Sequence, residues 1–392
     1  MACRPRSVGR EGGPGGPSWD AAGREGDPGV GAAWPIFPVG PTLKLPDVDL
    51  LRIGLLGTAR ISTMALLEPA ANVPEVTVAA VAARDQSRAE AYADQYGIPV
   101  AYGGYDALLA DPDIDAVYNP LPNSLHGPWT LRAIEAGKHV LCEKPFASNA
   151  REAASVTAAA GKSGLVVMEA MHYRYHPLVR RLTALISDGA IGTPRHIQAW
   201  TKWPVRDPAD IRYDYALGGG ALMDGGCYAI DCLRLIAAAA GAGEPSVTGA
   251  LADPVAGTPA DRALAARLDF ANGLTGWFES AFTRDGDFNA DVHVIGETGH
   301  LWLRNFVLAH EGRLLMTQNG TVALAQSAAD LRPAEDYDDD TTFAWQLRAF
   351  SAAVTGSAPF ETTAANATET MRVIDDAYRA AGLPPRGTTQ TR

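Results

Sequence analysis

Short apolar runs alternate with helical segments six times between residues 51 and 170, with only short loops between them. The runs LRIGLLG (51–57) and VTVAAVAA (76–83) are typical of strands that are buried on both faces. Consecutive parallel strands need a crossover connection, usually a helix, and such crossovers are right-handed, so this alternation permits few topologies. It predicts an α/β fold with a doubly wound parallel sheet over residues 49–170.

The pattern changes after about residue 172, where strand-like runs follow one another with tight-turn signals such as Asn272-Gly273 and Asn319-Gly320. These runs and the helical stretches around them predict an α+β domain over residues 171–385 with a large, mostly antiparallel open sheet. Residues 1–48 are instead rich in Gly, Pro and Ala. A segment of this composition buries too little apolar surface to order itself, so we expect a disordered N-terminal extension.

The bulk composition excludes several classes of protein. A formal net charge of −12 argues against a broad attraction to nucleic acid or to an anionic membrane. No segment approaches the roughly 18 apolar residues of a membrane-spanning helix, and no apolar segment typical of a secretory signal follows the N-terminal arginines. The four cysteines lack the spacing of a disulfide framework or a zinc site. We therefore expect a cytoplasmic protein without a bound metal, a nucleic-acid partner or a membrane anchor.

The loop after the first predicted strand has the pattern of a phosphate-binding turn. Small residues stand at its first, third and sixth positions, as Gly57, Ala59 and Ser62. At the first strand–helix junction of a Rossmann domain, such residues let a dinucleotide pyrophosphate approach the backbone N–H groups. Only the first of the three is glycine, so the prediction depends on the position of the turn in the fold. The cofactor-binding candidates in this turn are Gly57, Thr58, Ala59, Arg60 and Ile61.

The end of the second predicted strand bears on the choice of cofactor. NAD-binding sites usually have an acidic residue there for the ribose hydroxyls, whereas this chain has Arg84 followed by Asp85. A guanidinium can contact the 2′-phosphate of NADP, which a carboxylate would repel. The alternative is a solvated arginine at a strand end. We therefore expect NADP(H) to be preferred, with NAD(H) possible.

Three further segments carry polar residues close to predicted ligand-binding positions. PLPNSLH (120–126) and CEKP (142–145) follow the fourth and fifth strands, at the carboxyl ends where open α/β sheets bind ligands. The third segment, GGGALMDGGCY (218–228), opens a helix far downstream. Its Asp224 and Tyr228 are four residues apart and therefore share one helix face.

With these three segments in this order, the chain resembles the Gfo/Idh/MocA family of oxidoreductases over about residues 51–382. Within the family, MEAMHYRYHP (168–177) and DIR (210–212) look most like the branch of NADP-dependent D-xylose dehydrogenase and dimeric dihydrodiol dehydrogenase. The resemblance implies a Rossmann domain followed by an open mixed sheet. In relatives that sheet commonly forms a subunit interface, which implies a homodimer or homotetramer here.

The resemblance also implies roles for individual residues. Lys144 would lie near the nicotinamide and the reacting hydroxyl, and Tyr228 would accept or donate the proton. A nearby ammonium would favour the phenolate and so lower the pKa of Tyr228. Asp224 would orient Lys144 or bind a substrate hydroxyl, and Glu143 would contact the cofactor ribose.

Other residues have two interpretations. Pro122, Asn123 and His126 are cofactor-site candidates, although His126 would serve equally as a helix cap. Arg174 and His176 follow a strand end, where they could reach substrate or only form ion pairs. Arg212 is the third substrate-site candidate.

The expected activity is that of an NADP(H)-dependent dehydrogenase or reductase acting on CH–OH donors. It would move a hydride between nicotinamide and a hydroxyl or anomeric carbon of a small polyhydroxylated substrate, namely a sugar, a cyclitol or a vicinal diol. Two alternatives stay open. One is a keto-sugar reductase in a biosynthetic pathway, and the other is a non-catalytic NADP(H)-binding regulator on the same fold.

Overall fold

The structure, a computed structural model, describes residues 50–331 and 341–387. The predicted N-terminal extension, 1–48, lies outside the described residues. The first part of the chain forms a six-stranded parallel sheet with the order β3-β2-β1-β4-β5-β6. Its strands are β1 (Leu51–Leu56), β2 (Val76–Ala82), β3 (Val100–Tyr102), β4 (Ala116–Asn119), β5 (His139–Cys142) and β6 (Val167–Glu169). This order confirms the doubly wound Rossmann sheet, whose halves diverge between β1 and β4.

Helices connect these strands, and two of them begin at a capping side chain and end at a glycine. A π-helical turn (Thr63–Leu67) precedes the first of them, α1. The Asp85 and Asn149 side chains cap α2 and α5 by accepting from backbone N–H groups, and Gly97 and Gly164 end the same helices in the left-handed conformation. The connecting helices are α1 (Glu68–Ala70), α2 (Gln86–Tyr96), α3 (Tyr105–Leu109), α4 (Asn123–Glu135) and α5 (Ala150–Ser163).

The second part of the chain forms an eight-stranded open sheet with the order β14-β13-β12-β11-β7-β10-β9-β8. Only β7 and β10 pair in parallel, and every other neighbouring pair is antiparallel. The predicted mostly antiparallel sheet is therefore confirmed. Its strands are β7 (Pro194–Pro204), β8 (Ser246–Pro254), β9 (Asp261–Asp269), β10 (Thr275–Thr283), β11 (Asn289–Gly296), β12 (Gly299–Arg304), β13 (Arg313–Gln318) and β14 (Thr321–Ser327).

One face of the second sheet is covered by helices. Side chains alternate along each strand, so Ile197, Phe278 and Val292 point to the same face and are completely buried. The central helix on this face begins directly after the glycine-rich segment 218–226. The helices of this part are α6 (Pro177–Ser187), α7 (Cys227–Ala239), α8 (Thr342–Val354) and α9 (Ala364–Ala380).

The last two helices return to the first sheet. Phe343 and Leu347 of α8 pack into the same core as Ile53 and Leu55 of β1, and α9 packs against α5. A stretch that sequence assigns to the C-terminal domain thus completes the core of the N-terminal sheet. The boundary between residues 170 and 171 stays a prediction. Among the described helices, none has the length and apolar character that crossing a bilayer requires.

Candidate active site

Lys144 lies just beyond the carboxyl end of β5, and its ammonium is held by Asp224 from the second domain. The Lys144 Nζ donates to the backbone carbonyl and to Oδ1 of Asp224, both at 2.9 Å. Arg212 donates through Nε to the other oxygen, Asp224 Oδ2, at 2.7 Å. Although burial opposes it, the charges of Lys144 and Arg212 lower the pKa of Asp224 to about 2. Asp224 is therefore a carboxylate at neutral pH that joins two cations.

The ion pairs continue toward the phosphate-binding turn. Asp210 accepts from Arg212 Nη1 at 3.2 Å, and its Oδ2 lies 3.7 Å from the Arg60 guanidinium. Arg60 itself is exposed. The segment Asp210–Arg212 therefore connects the turn after β1 with the acid that holds Lys144.

Tyr228 lies in the first turn of α7, on the same helix face as Asp224. Its side chain is buried, with 5% exposed, and the Lys144 Nζ lies 5.1 Å from the centroid of its ring. The Tyr228 hydroxyl lies 2.9 Å from His172 Nε2. The structure thus brings together the three predicted catalytic residues, Lys144, Asp224 and Tyr228, and adds His172.

The electrostatics of Tyr228 differ from the sequence-based expectation. Burial, together with the negative charge of Glu143 and other neighbours, raises the pKa of Tyr228 well above its ordinary value. The expected lowering by Lys144 was wrong, because the ammonium is paired with Asp224 and lies over the ring face rather than at the hydroxyl. A free phenolate is therefore disfavoured at this position.

Two buried carboxyl groups stand behind the site. Glu143 accepts from the Tyr118 hydroxyl at 2.7 Å and from the backbone N–H of Lys144 at 3.2 Å, and burial raises its pKa. Glu169, at the end of β6, accepts from the backbone N–H of Phe146. Burial, with the charge of Asp231 in addition, raises the pKa of Glu169 to about 8.

The glycine-rich segment before α7 is wedged between backbone and buried side chains. Gly220 has a φ of 137°, and a Cβ there would lie 2.1 Å from Asp261 Oδ1. That carboxylate pairs at 2.7 Å with Arg386, beyond the last helix, and both side chains are fully buried. Asp261 also accepts from the backbone N–H of Leu222 at 2.7 Å. Only glycine fits at position 220, and the pair behind it anchors the segment that carries Asp224 and Tyr228.

The turn after β1 has the geometry expected of a phosphate-binding loop. Gly57 has a φ of 87°, and its N–H donates to Ala82 at the end of β2. Ser62, at the third small position, is buried, whereas Ala59 and Ile61 are half-buried. The half-buried Thr58 accepts from Arg88 Nε at 2.7 Å.

Two exposed arginines lie close to this turn, Arg84 just after β2 and Arg88 in the first turn of α2. Arg84 and Arg88 both act on the pKa of Tyr105, which burial raises and their positive charges lower. Asp85 caps α2, since its Oδ1 accepts from the Arg88 N–H and from the Ser87 hydroxyl. This carboxylate is thereby engaged by the helix N-terminus, while Arg84 and Arg88 remain exposed.

The loop after β4 is bound to the glycine-rich segment. Pro122 is the N-cap residue of α4, and Asn123 Nδ2 donates to the Gly218 carbonyl at 3.0 Å. His126 is fully buried, with Nδ1 2.7 Å from the Pro145 carbonyl and Nε2 2.6 Å from the Leu121 carbonyl. Both ring nitrogens of His126 thus face backbone oxygens, and the side chain joins two loops of the site.

Two substrate-site candidates have other partners. Arg174 donates to Asp231 Oδ1 at 3.2 Å and to Asn366 Oδ1 at 3.0 Å. His176 is the N-cap of α6, where its Nδ1 accepts from the Leu178 N–H. The contacts found for these two side chains are therefore structural, whereas Arg212 reaches Asp224.

Sequence reasoning missed two features of this region. Arg88 follows Arg84 by four residues and lies in the first turn of α2, so the pattern RDQSR carried a signal for a second arginine near the phosphate-binding turn. The second is His172, whose Nε2 lies beside the Tyr228 hydroxyl. Its partner Thr342 is 170 residues further along the chain, and no local pattern could have joined them.

Comparison with known proteins agrees with this geometry. Residues 51–171 match the family model GFO_IDH_MocA, described as an oxidoreductase family with an NAD-binding Rossmann fold, and residues 179–302 match the model of the GFO/IDH/MocA C-terminal domain. D-xylose 1-dehydrogenase (NADP(+)) 2 of Haloferax volcanii is 34% identical over 350 residues, covering 84% of this chain and 97% of the relative.

Two solved structures extend the comparison. An aldose-aldose oxidoreductase from Caulobacter crescentus, complexed with glycerol, has a TM-score of 0.75 at 28% identity and covers 85% of this chain and 98% of its own. A 3-ketoreductase from Actinomadura kijaniata, in complex with NADP and TDP-benzene, has a TM-score of 0.71 at 29% identity and covers 83% of this chain and 96% of its own. Sequence, sheet topology and site together establish that this chain belongs to the Gfo/Idh/MocA family of oxidoreductases.

Proposed function

We propose that this chain is an NADP(H)-dependent sugar oxidoreductase in which Lys144 and Tyr228 handle the proton. The observation that carries the proposal is the ammonium of Lys144, held by Asp224 beside the Tyr228 ring at the carboxyl edge of the Rossmann sheet. A cation and a phenol so placed can bind one substrate oxygen between them. Acid–base work on a CH–OH group needs such a pair.

The residues present suit a dinucleotide with a 2′-phosphate. The positive φ of Gly57 opens the turn where a pyrophosphate would meet backbone N–H groups. Arg84 follows β2, and Arg88 donates to Thr58 from the first turn of α2. Both are exposed, and their charge would attract the 2′-phosphate. Asp85 is engaged as a helix cap, which removes the usual acidic partner of the ribose hydroxyls. When bound, the nicotinamide supplies the hydride acceptor or donor.

Each site residue then has one task. The ammonium of Lys144 donates to the substrate oxygen and stabilises the negative charge that develops there, and Asp224 fixes its position. Tyr228 accepts the substrate proton in oxidation and returns it in reduction. Arg212 is placed to bind a further hydroxyl, because its guanidinium is part-exposed beside Asp224.

A structural relative supports the choice of lysine and tyrosine. The 3-ketoreductase has also been solved as variants in which one lysine is replaced by alanine and one tyrosine by phenylalanine. Those two residues are separated in sequence by as many positions as Lys144 and Tyr228. Such agreement supports the assignment of these two side chains to the reacting centre.

The substrate class is narrower than the fold alone permits. We propose a sugar, cyclitol or vicinal diol, because relatives are named for D-xylose and aldoses. Keto-sugar reduction is the second candidate, favoured by the likeness to the 3-ketoreductase. The non-catalytic regulator is the least supported alternative, since Lys144, Asp224 and Tyr228 lie together. A cytoplasmic location stays a prediction.

We also propose a homo-oligomer formed through the open face of the second sheet. Trp277, Gln198, His293 and Trp302 follow one another across four neighbouring strands on the face opposite the helices. Trp302 is 39% exposed. An aromatic-rich face of this kind is typical of a subunit interface.

The test is a turnover screen that follows the ultraviolet absorbance of the reduced nicotinamide. NADP+ and NAD+ are each tried with aldoses, inositols and vicinal diols, and NADPH with keto sugars. We expect turnover with NADP(H) and one of these substrate classes. The matched variant Tyr228→Phe should lose turnover by about 10²-fold or more while it still binds NADPH. Equal turnover in Tyr228→Phe would exclude Tyr228 from the chemistry, and NADPH binding with no turnover anywhere would favour the regulator.

A further inference from the structure

A line of hydrogen-bonding side chains leads from Tyr228 toward the protein surface. The Tyr228 hydroxyl lies 2.9 Å from His172 Nε2, and His172 Nδ1 lies 2.8 Å from the hydroxyl of Thr342. That hydroxyl lies 3.4 Å from Nδ1 of His310, whose side chain is partly exposed. Four residues from four separate segments thus form a continuous path out of the site.

The hydrogen bonds along this path have one direction. The backbone N–H of Thr342 donates to His310 Nδ1 at 3.3 Å, so this nitrogen is an acceptor. The Thr342 hydroxyl can then donate to the same nitrogen and accept from His172 Nδ1–H. A neutral imidazole with its proton on Nδ1 has an acceptor at Nε2, which leaves the Tyr228 O–H as the donor there. Every donor therefore points from the site outward.

The path is shielded along its inner part. Tyr228, His172 and Thr342 are all buried, and the Phe343 ring packs against His172 with 3.9 Å between centroids. Burial lowers the pKa of His172 well below its usual range and raises that of Tyr228. Neither an imidazolium nor a phenolate is therefore favoured here, and a proton crosses this region more easily by moves that leave each group neutral.

We propose that His172, Thr342 and His310 form a proton relay that connects Tyr228 with solvent. The inference rests on the proposed function, in which Tyr228 exchanges a proton with substrate. It explains how a tyrosine with a raised pKa can serve as the base, and how the proton leaves when substrate and cofactor close the pocket.

In the direction of oxidation, each proton moves one position outward along the path. The substrate O–H bond breaks and its proton joins Tyr228 Oη. The C–H bond of the same carbon breaks as well, and a bound nicotinamide would accept that hydrogen with its electron pair as hydride. The Tyr228 proton moves to His172 Nε2, the His172 Nδ1 proton to the Thr342 oxygen, and the Thr342 proton to His310 Nδ1. His310 then releases one proton to water. Reduction runs through the same steps in reverse.

The direction of the hydrogen bonds is tested without substrate. Full-length protein labelled with ¹⁵N-histidine is measured by long-range ¹H–¹⁵N NMR, with His172→Asn and His310→Asn used to assign the signals. We expect His310 to be unprotonated at Nδ1 and His172 to be protonated at Nδ1 only. A His172 ring protonated at Nε2, or a His310 ring protonated at Nδ1, would overturn the proposed relay.

Turnover with the active substrate and NADP(H) tests whether catalysis uses the relay. Thr342→Val removes the hydroxyl at nearly constant volume, and we expect kcat to fall about tenfold or more with KM little changed. In His310→Ala, kcat should also fall about tenfold or more, and added imidazole should restore it. Thr342→Ser restores the hydroxyl and should restore kcat.

Thr362→Val is the matched control. It removes an equally buried hydroxyl, bonded to Tyr175 at 2.8 Å, that is not on the path. If Tyr228→Phe loses turnover while Thr342→Val and His310→Ala keep it, the relay is wrong and the proposed function stands. If Tyr228→Phe itself keeps turnover, the acid–base assignment of the proposed function fails first.

Discussion

Tyr228 illustrates how the chemistry of a residue depends on neighbours that only the folded structure brings close to it. A lysine near a tyrosine ordinarily lowers the phenol pKa. Here Asp224 neutralises the charge of Lys144, and burial raises the pKa of Tyr228. The nearest partner found for the hydroxyl is instead His172, whose Nε2 lies 2.9 Å away. The sequence therefore predicted that Lys144 and Tyr228 lie close together but did not predict the electrostatic state of the Tyr228 hydroxyl.

Also at the residue scale, the positions of Arg84 and Arg88 predict selectivity for NADPH over NADH. Each guanidinium would form a charge-assisted contact with the 2′-phosphate, and the loss of such a contact typically costs about 1.5–3 kcal/mol. We therefore expect Arg84→Ala and Arg88→Ala each to weaken NADPH binding about tenfold or more and to leave NADH binding nearly unchanged. Fluorescence titration with both cofactors measures this. Arg151→Ala, an exposed arginine on α5, is the control. Equal losses for NADPH and NADH would show that neither arginine reads the phosphate.

The raised pKa of Glu169 predicts how the stability of the fold depends on pH. Its folded-state pKa of about 8 lies above the ordinary value near 4.5, so the folded protein binds the extra proton between those pH values. Stability should therefore fall as pH rises from about 4.5 to 8 and change no further above that. Glu169→Gln, which cannot ionise, should match the wild type at pH 5 and exceed it at pH 9 by on the order of 4 kcal/mol.

Urea unfolding at a series of pH values measures this difference. Asp375, whose pKa burial raises to about 6, is present in both proteins and contributes the same slope to each. The comparison therefore isolates Glu169. Parallel stability curves for the two proteins would contradict a raised pKa at this residue.

At the scale of elements, the glycine-rich segment depends on a residue more than 160 positions away. Arg386 donates through Nε to the Gly219 carbonyl at 2.7 Å and pairs with Asp261, which also accepts from the Tyr378 hydroxyl at 2.8 Å. Strand β9, helix α9 and the residues after α9 thus meet behind the start of α7. The position of Tyr228 therefore depends on elements that are remote in sequence.

Removing one member of this pair should be costly. Arg386→Ala leaves the Asp261 charge buried and unpaired, and we expect a loss of about 3–5 kcal/mol in the free energy of unfolding. Arg262→Ala breaks an exposed arginine–aspartate pair with Asp253, and solvent screening of that pair should leave the free energy of unfolding nearly unchanged. Chemical denaturation of both variants measures the contrast. Similar losses would show that burial does not govern the Arg386 pair.

At the scale of the molecule, the two sheets have different surroundings. The Rossmann sheet is buried on both faces, in part by α8, whereas the eight-stranded sheet has helices on one face and half-exposed aromatic residues on the other. The open face includes Trp277 on β10 and Trp302 on β12, with β11 and β7 between them. Its composition underlies the proposed assembly.

The proposed assembly predicts the molar mass of the protein in solution. We expect light scattering after size exclusion to give a multiple of the 41.3 kDa chain for the wild type. Trp302→Glu places a charge on the open face and should lower the mass to that of one chain. Val100→Glu, at a strand of the other sheet with the same 39% exposure, should leave it unchanged. A wild type that elutes as a single chain would exclude the homo-oligomer.

The order of the elements and the nature of the two sheets follow from sequence alone. Strand burial, helix periods and turn residues are local signals, so the Rossmann sheet, the mostly antiparallel sheet and the turn at Gly57 could all be predicted. The segments that carry Lys144, Asp224 and Tyr228 could be located for the same reason, because each is a contiguous motif with a characteristic composition.

Only the tertiary structure decided what these side chains contact. It paired Lys144 with Asp224, turned Asp85 into a helix cap, gave both nitrogens of His126 to backbone carbonyls and placed Thr342 next to His172. Burial and charge pairing depend on groups brought together from distant parts of the chain, and these decide protonation. The sequence by itself therefore determined which side chains are candidates for the site, and the folded chain determined their charge and their partners.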